Sequence, residues 1–487
     1  MQISTPSLRR DIENRLVEFW LPHLTACEDL FTHLEYVDTS MKEIRAEALR
    51  RELESFDKML AGQVPKEWRF KEYRKRTIIT LAGYITYLRR IYLEPNGISH
   101  AYLDEVLGIR TRKQLAPDAF LWIAKMAADI SFRKTAKAFY ERTGAKISHW
   151  LVMQVIHEEG ALILQELYDR AKAKGQPGLT EPLRFSADEL YVEYDGIHIP
   201  LQKPTHEQKN LKQRNRPNQK GRSIELKSAV AYMGKDDKRR RVGVAHFVSD
   251  EAPAYFWPLL GARISQEYVL EDIATIYASH DAAGWCKNNQ LDIIAPAAEV
   301  ICQLDAFHVN RAIRKAFGIG KKASYVIGLV YARRMKQLFK VLERTVASAK
   351  KGHKRDRYLA LRDYLKSNVS LIERGLPHSM GTMEGTNAHV YAARMKIWGG
   401  GWSRKGALAM ALVRSWVASG KDLIAPKLDN VLFDDVQQLK RQEYEESLLD
   451  GTWSAPRTEG AGWEPPQGSI VLCTHMAPEM YGWLYYS

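Results

Sequence analysis

The sequence predicts an α/β protein: a mixed sheet with an all-helical insertion, preceded by a mainly helical N-terminal region. Three observations carry this. Residues 8–60 and 118–160 space their apolar side chains at helical intervals. From about residue 190, three β-rich stretches follow one another without a long helix between them, and strands then alternate with helices. Residues 320–375 return to a basic, purely helical pattern.

In order along the chain, Leu16, Phe19, Trp20, Leu24, Leu30, Phe31 and Leu34 recur with charges between them, as in amphipathic helices. From about 75 to 93 the residues are β-branched and aromatic, with a turn expected at Ala82-Gly83 and an end at Pro95-Asn96-Gly97. SFRKTAKAFYERTG (131–144) and AKISHWLVMQVIHEEG (145–160) read as a helix, a glycine turn at Gly144, a Ser148 cap and a second helix. That is the layout of a DNA-binding helix-turn-helix and equally of an ordinary helical hairpin. The second helix carries few basic residues; Lys134, Lys137 and Arg142 on the first could meet phosphates. Residues 171–185 read as a linker. Strands follow at about 190–200, 223–233 and 240–249, a helix at 254–268, a strand at 274–281, a helix from Gly284, a strand at 300–306 and a helix from His308. Three strands, then helix–strand–helix–strand–helix, is the order of a ribonuclease-H-like domain.

The organisation expected is a helical region over 1–68, a β-hairpin with a helix-turn-helix over 69–180, a ribonuclease-H-like domain over 186–308 and 381–420, a helical insertion over 309–380 and a tail over 421–487. The 487 residues carry 72 Lys and Arg against 58 Asp and Glu, a net charge of +14. That excess favours a polyanionic partner, with a solvated basic surface as the plain alternative. Four widely spaced cysteines without a CxxC pair indicate neither a zinc knuckle nor a disulfide framework and fit a reducing cytoplasm. The N-terminus lacks an apolar signal core, and no run of about 18 apolar residues occurs. The expectation is therefore a cytoplasmic protein without a membrane partner.

Asp195 is the most informative residue. It sits inside LYVEYDGIHIPL (190–201), an otherwise apolar and aromatic strand, where a buried carboxylate is costly unless paired or metal-bound. Alternation puts Tyr191, Glu193 and Asp195 on one face. A turn at Asp195-Gly196 is the competing reading, opposed by β-branched residues on both sides. Two more acids stand at element ends: Asp281 in SHDAAGW, after a strand, and Glu384 in GTMEGTNAH, at a helix start. Taken singly, Asp281 reads as a helix cap and Glu384 as an ordinary first-turn acid. Together, carboxylates from two strands and a helix can hold two hard cations about 3.5–4 Å apart. Glu193 is the fallback ligand on the Asp195 strand. Asp305 and His308 meet at a strand-to-helix junction, where they could brace the site or cap the helix; zinc binding by this pair alone lacks partners.

YVEYDGIHIPLQK, ELKSAVAYMG, SHDAAGWCK, LDAFHVNRAI and SMGTMEGTNAHVYAARMKIWGGGWSRKGALAM resemble the ISLre-type insertion-sequence transposases, over roughly residues 70–420. Mutator-type and related bacterial transposases carry a similar Asp-x-x-His or Cys-x-x-His signature, matched here by Asp305 and His308. The resemblance implies a DDE triad on a ribonuclease-H-like fold, with a helical insertion between the second Asp and the Glu. Carried over by motif, the triad is Asp195, Asp281 and Glu384, holding magnesium, with manganese able to substitute. The expected activity is cleavage of phosphodiesters at element ends and joining of the 3′-hydroxyl to target DNA. The expected partners are double-stranded DNA and further copies of the chain, as a dimer or higher oligomer on a bacterial nucleoid. A nuclease without joining and an inactive DNA-binding descendant are the alternatives.

Two features depart from the family pattern. The second motif reads His280-Asp281-Ala282 where a glycine-flanked turn is usual. The loop 203–222 carries seven Lys or Arg and one Glu. Its Lys209, Lys212, Arg214, Arg216, Lys220 and Arg222 are candidate phosphate contacts, against a plain solvated loop. KDDKRRR (235–241) could extend that basic edge. Arg311, Arg314, Lys315, Lys321, Lys322, Arg333, Arg334 and Lys336 in the insertion, and Arg394 and Lys396 after the catalytic helix, complete the expected DNA surface. Trp398 and Trp402 read either as base-stacking rings or as core.

Overall fold

The computed structural model describes residues 6–109, 114–172, 185–202, 223–287, 289–373, 380–396, 401–426, 440–443 and 446. The chain divides into two compact units, one running to Val155 and the other from Ile156 to Ile424. Among the described residues, no helix is long and apolar enough to cross a membrane.

In the first unit, the helical period of the N-terminal residues gives α1 (Pro6–Ala26) and α2 (Leu30–Leu60). Asp29 starts α2 by accepting the Thr32 amide at 2.8 Å. The period does not say what covers the apolar face: Phe19, Leu24, Leu30, Phe31 and Leu34 stay exposed. Further along α2, Leu53 and Leu60 pack with Ile78, Ile85 and Tyr87 of an antiparallel hairpin, β1 (Arg69–Thr80) and β2 (Gly83–Leu93). Thr80 pairs with Gly83, so the turn residues are Leu81 and Ala82, one position earlier than expected. Gly83 has a φ of +98°, and a Cβ there would approach the Thr143 carbonyl to 2.9 Å, so the position demands glycine. A two-residue β3 (Ser99–His100) completes this sheet. After the short α3 (Tyr102–Val106) come α4 (Pro117–Asp129), α5 (Phe132–Thr143) and α6 (His149–Lys172), within which the division between units falls. Ser131 caps α5, Gly144 ends it at φ +72°, and Ser148 accepts the Leu151 amide at 3.1 Å. The helix–turn–helix spacing is thus the one the sequence indicated.

The second unit is built on a five-stranded mixed sheet of β4 (Glu189–Pro200), β5 (Ser223–Tyr232), β6 (Ala245–Ser249), β7 (Thr275–His280) and β8 (Glu299–Leu304). The spatial order is β6-β5-β4-β7-β8. The first three strands pair antiparallel, while β7 and β8 run parallel to β4. β6 begins later than expected because Lys235 and Arg241 bridge across a turn with Arg239 at φ +60°. Asp195 lies inside β4, paired with Ser228, so the turn reading fails there.

Helices cover both faces, as the near-continuous apolar run of β4 requires. On one face Tyr194 meets Trp257 of α7 (Pro253–Ser265) edge-on at 5.2 Å and stacks on His280 at 5.2 Å. Short helices α8 (Gly284–Lys287) and α9 (Leu291–Ile294) link β7 to β8. On the other face Tyr191 stacks on Tyr232 and Tyr277, and Met383 joins them.

Between β8 and Met383 lies the helical insertion: α10 (Ala306–Phe317), α11 (Lys321–Tyr331), α12 (Met335–Ser348), α13 (His353–Lys366) and α14 (Val369–Glu373). It has its own apolar core, with Val309, Ile313, Leu329, Leu338, Leu342 and Leu361 at its centre. The helical block expected near 384–418 is divided. α15 (Met383–Thr386) passes into a π-helical turn (Asn387–Ala392) and α16 (Ala393–Met395); Ser403 then caps α17 (Arg404–Ala418).

Candidate active site

The register of the parallel strands builds the site. Tyr194 pairs with His280, and His280 pairs with Leu304. Asp195 follows Tyr194 within β4, and Asp281 and Asp305 are the first residues past the ends of β7 and β8, so the three acids come one residue after that ladder row, on strands about 4.8 Å apart. The Asp305 amide continues the ladder, donating to the His280 carbonyl at 2.8 Å. The row stands at the carboxyl ends of β7 and β8, the edge at which open α/β sheets bind ligands.

Each acid is held differently. Asp195 is 8% exposed; its Oδ1 accepts the Gly196 amide at 2.8 Å and its Oδ2 the Asn387 side-chain amide at 3.2 Å. Ser228 Oγ lies 2.8 Å from Asn387 Oδ1 and 3.1 Å from the Asp195 carbonyl, tying β5, β4 and the π-helical turn together. Such turns concentrate at functional sites. Asp281 is half-buried and accepts the Ala283 amide at 2.8 Å, across Ala282 at φ +68°. The backbone therefore takes the left-handed form that a glycine would adopt freely, although this chain has alanine there. Asp305 caps α10 through the Phe307 amide at 2.8 Å, and burial raises its pKa. His308 Nε2 lies 3.7 Å from Asp195 Oδ2 and 4.0 Å from Asp305 Oδ2, ion-pair rather than hydrogen-bond distances. The Asp195 carboxylate beside it raises the His308 pKa, burial opposes, and the charges of Asp305 and Asp281 add to the rise.

Glu193 does something the sequence did not disclose. Buried on the same face as Asp195, it accepts the Tyr232 hydroxyl at 2.6 Å, the Gly381 and Thr382 amides at 2.8 and 2.7 Å, and the Thr382 hydroxyl at 2.6 Å. Arg241 adds bonds to the hydroxyls of Thr382 at 3.3 Å and Thr386 at 2.9 Å. These bonds fasten the start of α15 to the sheet. Glu193 is thereby an anchor with its acceptor sites engaged, and Asp195 is the acid of β4 that faces the row.

Glu384 follows immediately and is solvent-exposed. It precedes Asn387 by one helical turn, a spacing of about 5–6 Å between side-chain roots, so Asn387 brings the Glu384 helix beside Asp195. The three acids of the expected triad are not drawn into one tight cluster. Among the described residues, only His23, Cys27 and His33 form a group of three metal-ligating side chains with donor atoms all within 4.8 Å. The donor set around Asp195 is nevertheless carboxylate oxygen from one strand and from the ends of its two neighbours, which suits a hard divalent cation.

The expected DNA contacts divide. Lys209, Lys212, Arg214, Arg216, Lys220 and Arg222 lie outside the described residues, as does Trp398. Arg311 and Lys396 are exposed, as are Arg314, Lys315, Lys321, Lys322, Arg333, Arg334 and Lys336. Arg394 departs from expectation: it is buried, with its guanidinium 5.3 Å from the Trp402 ring centre, because Trp402 is pinned by an indole N–H bond to the Met395 carbonyl at 2.9 Å. Arg241, from the basic run 235–241, is likewise turned inward to Thr382 and Thr386. The roles of Asn387 and Thr382 come from tertiary contacts; the local signal for Asn387 is its place one turn after Glu384 in MEGTN.

The sequence matches the family described as "Uncharacterised protein family (UPF0236)" over residues 29–430. The chain belongs to UPF0236. Similar UPF0236 proteins occur in Caldanaerobacter subterraneus subsp. tengcongensis. UPF0236 protein TTE2489 is 23% identical over 389 residues, covering 77% of this chain and 76% of that protein. UPF0236 protein TTE0402 is 24% identical over 368 residues, covering 74% and 67%. A third, 24% identical over 389 residues and covering 77% and 75%, bears a name that joins eleven designations from TTE0033 to TTE2212. The UPF0236 match takes in the hairpin, the whole mixed sheet, the insertion and the Glu384 helix.

Proposed function

We propose that this UPF0236 protein is a metal-dependent DNA transposase of the DDE type, with its second unit as a ribonuclease-H-like catalytic domain. The observation that carries the reading is the placing of Asp195, Asp281 and Asp305 one residue past the Tyr194–His280–Leu304 ladder row, beside the Glu384 helix. The strand order supports it: three antiparallel strands followed by two that run parallel to the first is the ribonuclease-H arrangement. So does the helical insertion between the second and third acids, where the family resemblance puts one. The name joining eleven designations within one organism is what a self-copying element would leave.

Asp195, Asp281 and Glu384 would hold two magnesium ions, which supply charge to activate the attacking oxygen and to steady the leaving one. This chain's own residues do the rest by positioning. Asn387 and Ser228 orient the Asp195 carboxylate, and Glu193 sets the start of α15. His308 stands between Asp195 and Asp305, and the Asp195 carboxylate favours its protonated form. The exposed bases of α10 and α11 would grip phosphates next to the row.

The test uses the full chain, magnesium and a DNA duplex carrying the sequences that flank its own reading frame. Strand cleavage and joining are expected, with both lost in Asp195→Ala and end binding kept. Asp195→Ala that still cleaves and joins would sink the proposal. Pre-cleaved ends that are never joined would leave a nuclease instead.

A further inference from the structure

We propose a second metal site, remote in sequence from the carboxylate row: His23, Cys27 and His33 bind a borderline divalent transition metal, zinc(II) by chemistry, and clip α1 to α2. His23 lies in the last turn of α1, Cys27 just past its end and His33 in the first turn of α2, an H-x3-C-x5-H spacing. Their donor atoms lie within 4.8 Å of one another. His23 Nδ1 and His33 Nδ1 are 3.2 Å apart. Two nitrogens bound tetrahedrally to zinc at about 2.0–2.1 Å stand about 3.3 Å apart, so the pair already has the spacing that the metal imposes.

The hairpin holds these groups ready. The Cys27 amide closes the last turn of α1 on the His23 carbonyl at 2.9 Å, and Asp29 caps α2 two residues later. The His23 ring is sandwiched against Tyr36 at 3.9 Å with planes 6° apart, and His33 is buried. On the other side the Trp20 indole donates to Ser40 at 2.8 Å. Otherwise α1 gains little from burial, since Ile12, Val17, Phe19, Leu21 and Leu24 are exposed; a metal crosslink would supply the missing hold between the helices. Two imidazoles and a thiolate are borderline-to-soft donors, suited to zinc and unsuited to magnesium. Among the described residues no fourth His, Cys, Asp or Glu joins the group, which leaves the fourth tetrahedral position for water.

The full chain, stripped with a chelator, is titrated with cobalt(II) and then zinc(II). One thiolate-bound cobalt per chain is expected, seen as a thiolate-to-cobalt charge-transfer band that zinc abolishes. Cys27→Ser should remove the band, and His33→Ala should weaken cobalt binding by more than roughly tenfold. Asp195→Asn should leave both unchanged, which separates this site from the proposed catalytic one. Circular dichroism checks that each variant folds, and His23→Gln replaces any that does not. Absence of a saturable band overturns the proposal, leaving an imidazole–imidazole hydrogen bond. A band that survives Cys27→Ser also overturns it, since the thiolate then belongs to another cysteine.

Discussion

Removing the Glu193 carboxylate separates an anchor from a metal ligand. Glu193 receives two backbone amides and two hydroxyls, and in Glu193→Ala the Gly381 and Thr382 amides, which lie at a partly buried edge, lose their acceptor. An orphaned buried donor costs about 1–3 kcal/mol, but water reaches this edge and the hydroxyls can rotate to other acceptors, so the total is about 3 kcal/mol. Glu193→Gln retains an oxygen for the two amides and presents an NH2 to hydroxyls that can accept. It loses only the charge assistance, about 2 kcal/mol. Urea denaturation of the metal-free chain, followed by tryptophan fluorescence, measures both. Cleavage should fall in the same order, Ala below Gln, because Glu384 is set by the segment that Glu193 holds. If Glu193→Gln matches the parent in metal-free stability yet abolishes magnesium-dependent cleavage, Glu193 is a ligand and the anchor argument is wrong.

Other expectations test separate parts of the molecule. Glu159 is buried, with Oε1 on the Ile424 amide at 2.8 Å and Oε2 without a hydrogen-bond partner among the described residues; burial raises its pKa from 4.5 to about 8. Between those values the folded carboxyl keeps a proton that the unfolded one releases, so stability falls as pH rises through the window, by on the order of 4 kcal/mol. Glu159→Gln should flatten the fall of the urea midpoint between pH 5 and 8; an equally steep fall would count against it. Ala282→Gly removes a left-handed penalty of about 1–2 kcal/mol and adds back part of it as chain entropy. A gain of about 0.5 kcal/mol in chemical denaturation is expected, and a loss would mean that the methyl packs more than it strains. Arg311→Ala with Arg314→Ala should weaken DNA binding to all sequences alike and lower the salt slope by roughly 2; an unchanged slope would remove α10 from the DNA surface.

Much of the architecture was legible in the sequence because it is written locally. Helical spacing marked α1, α2, α5 and α6, and Ser131, Gly144 and Ser148 punctuated them as their cap chemistry dictates. β-branched runs marked the hairpin and the sheet strands. Asp195 was legible as a carboxylate out of place, and Asp281, Asp305 and Glu384 as acids at element ends. Errors of one to a few residues arose at turns, as at Leu81-Ala82 and before β6, where tertiary pairing chooses the bend.

The roles of the two acids on β4 were beyond the sequence. Glu193 and Asp195 share a face and a charge, and only the return of the chain 188 and 189 positions later, at Gly381 and Thr382, makes one an anchor. The same return places Asn387 on Asp195 and turns Arg394 and Arg241 inward, although their places after the catalytic helix and in the basic run 235–241 suggest phosphate contacts. His23, Cys27 and His33 likewise converge only once α1 and α2 fold back on each other. Sequence by itself determined which segments are helix or strand and which residues carry charge or metal-binding chemistry, because those follow from interactions within a few residues. Tertiary structure alone decided which acids stand in one row and which polar groups are already satisfied, because a buried side chain's role depends on partners brought to it from distant parts of the chain.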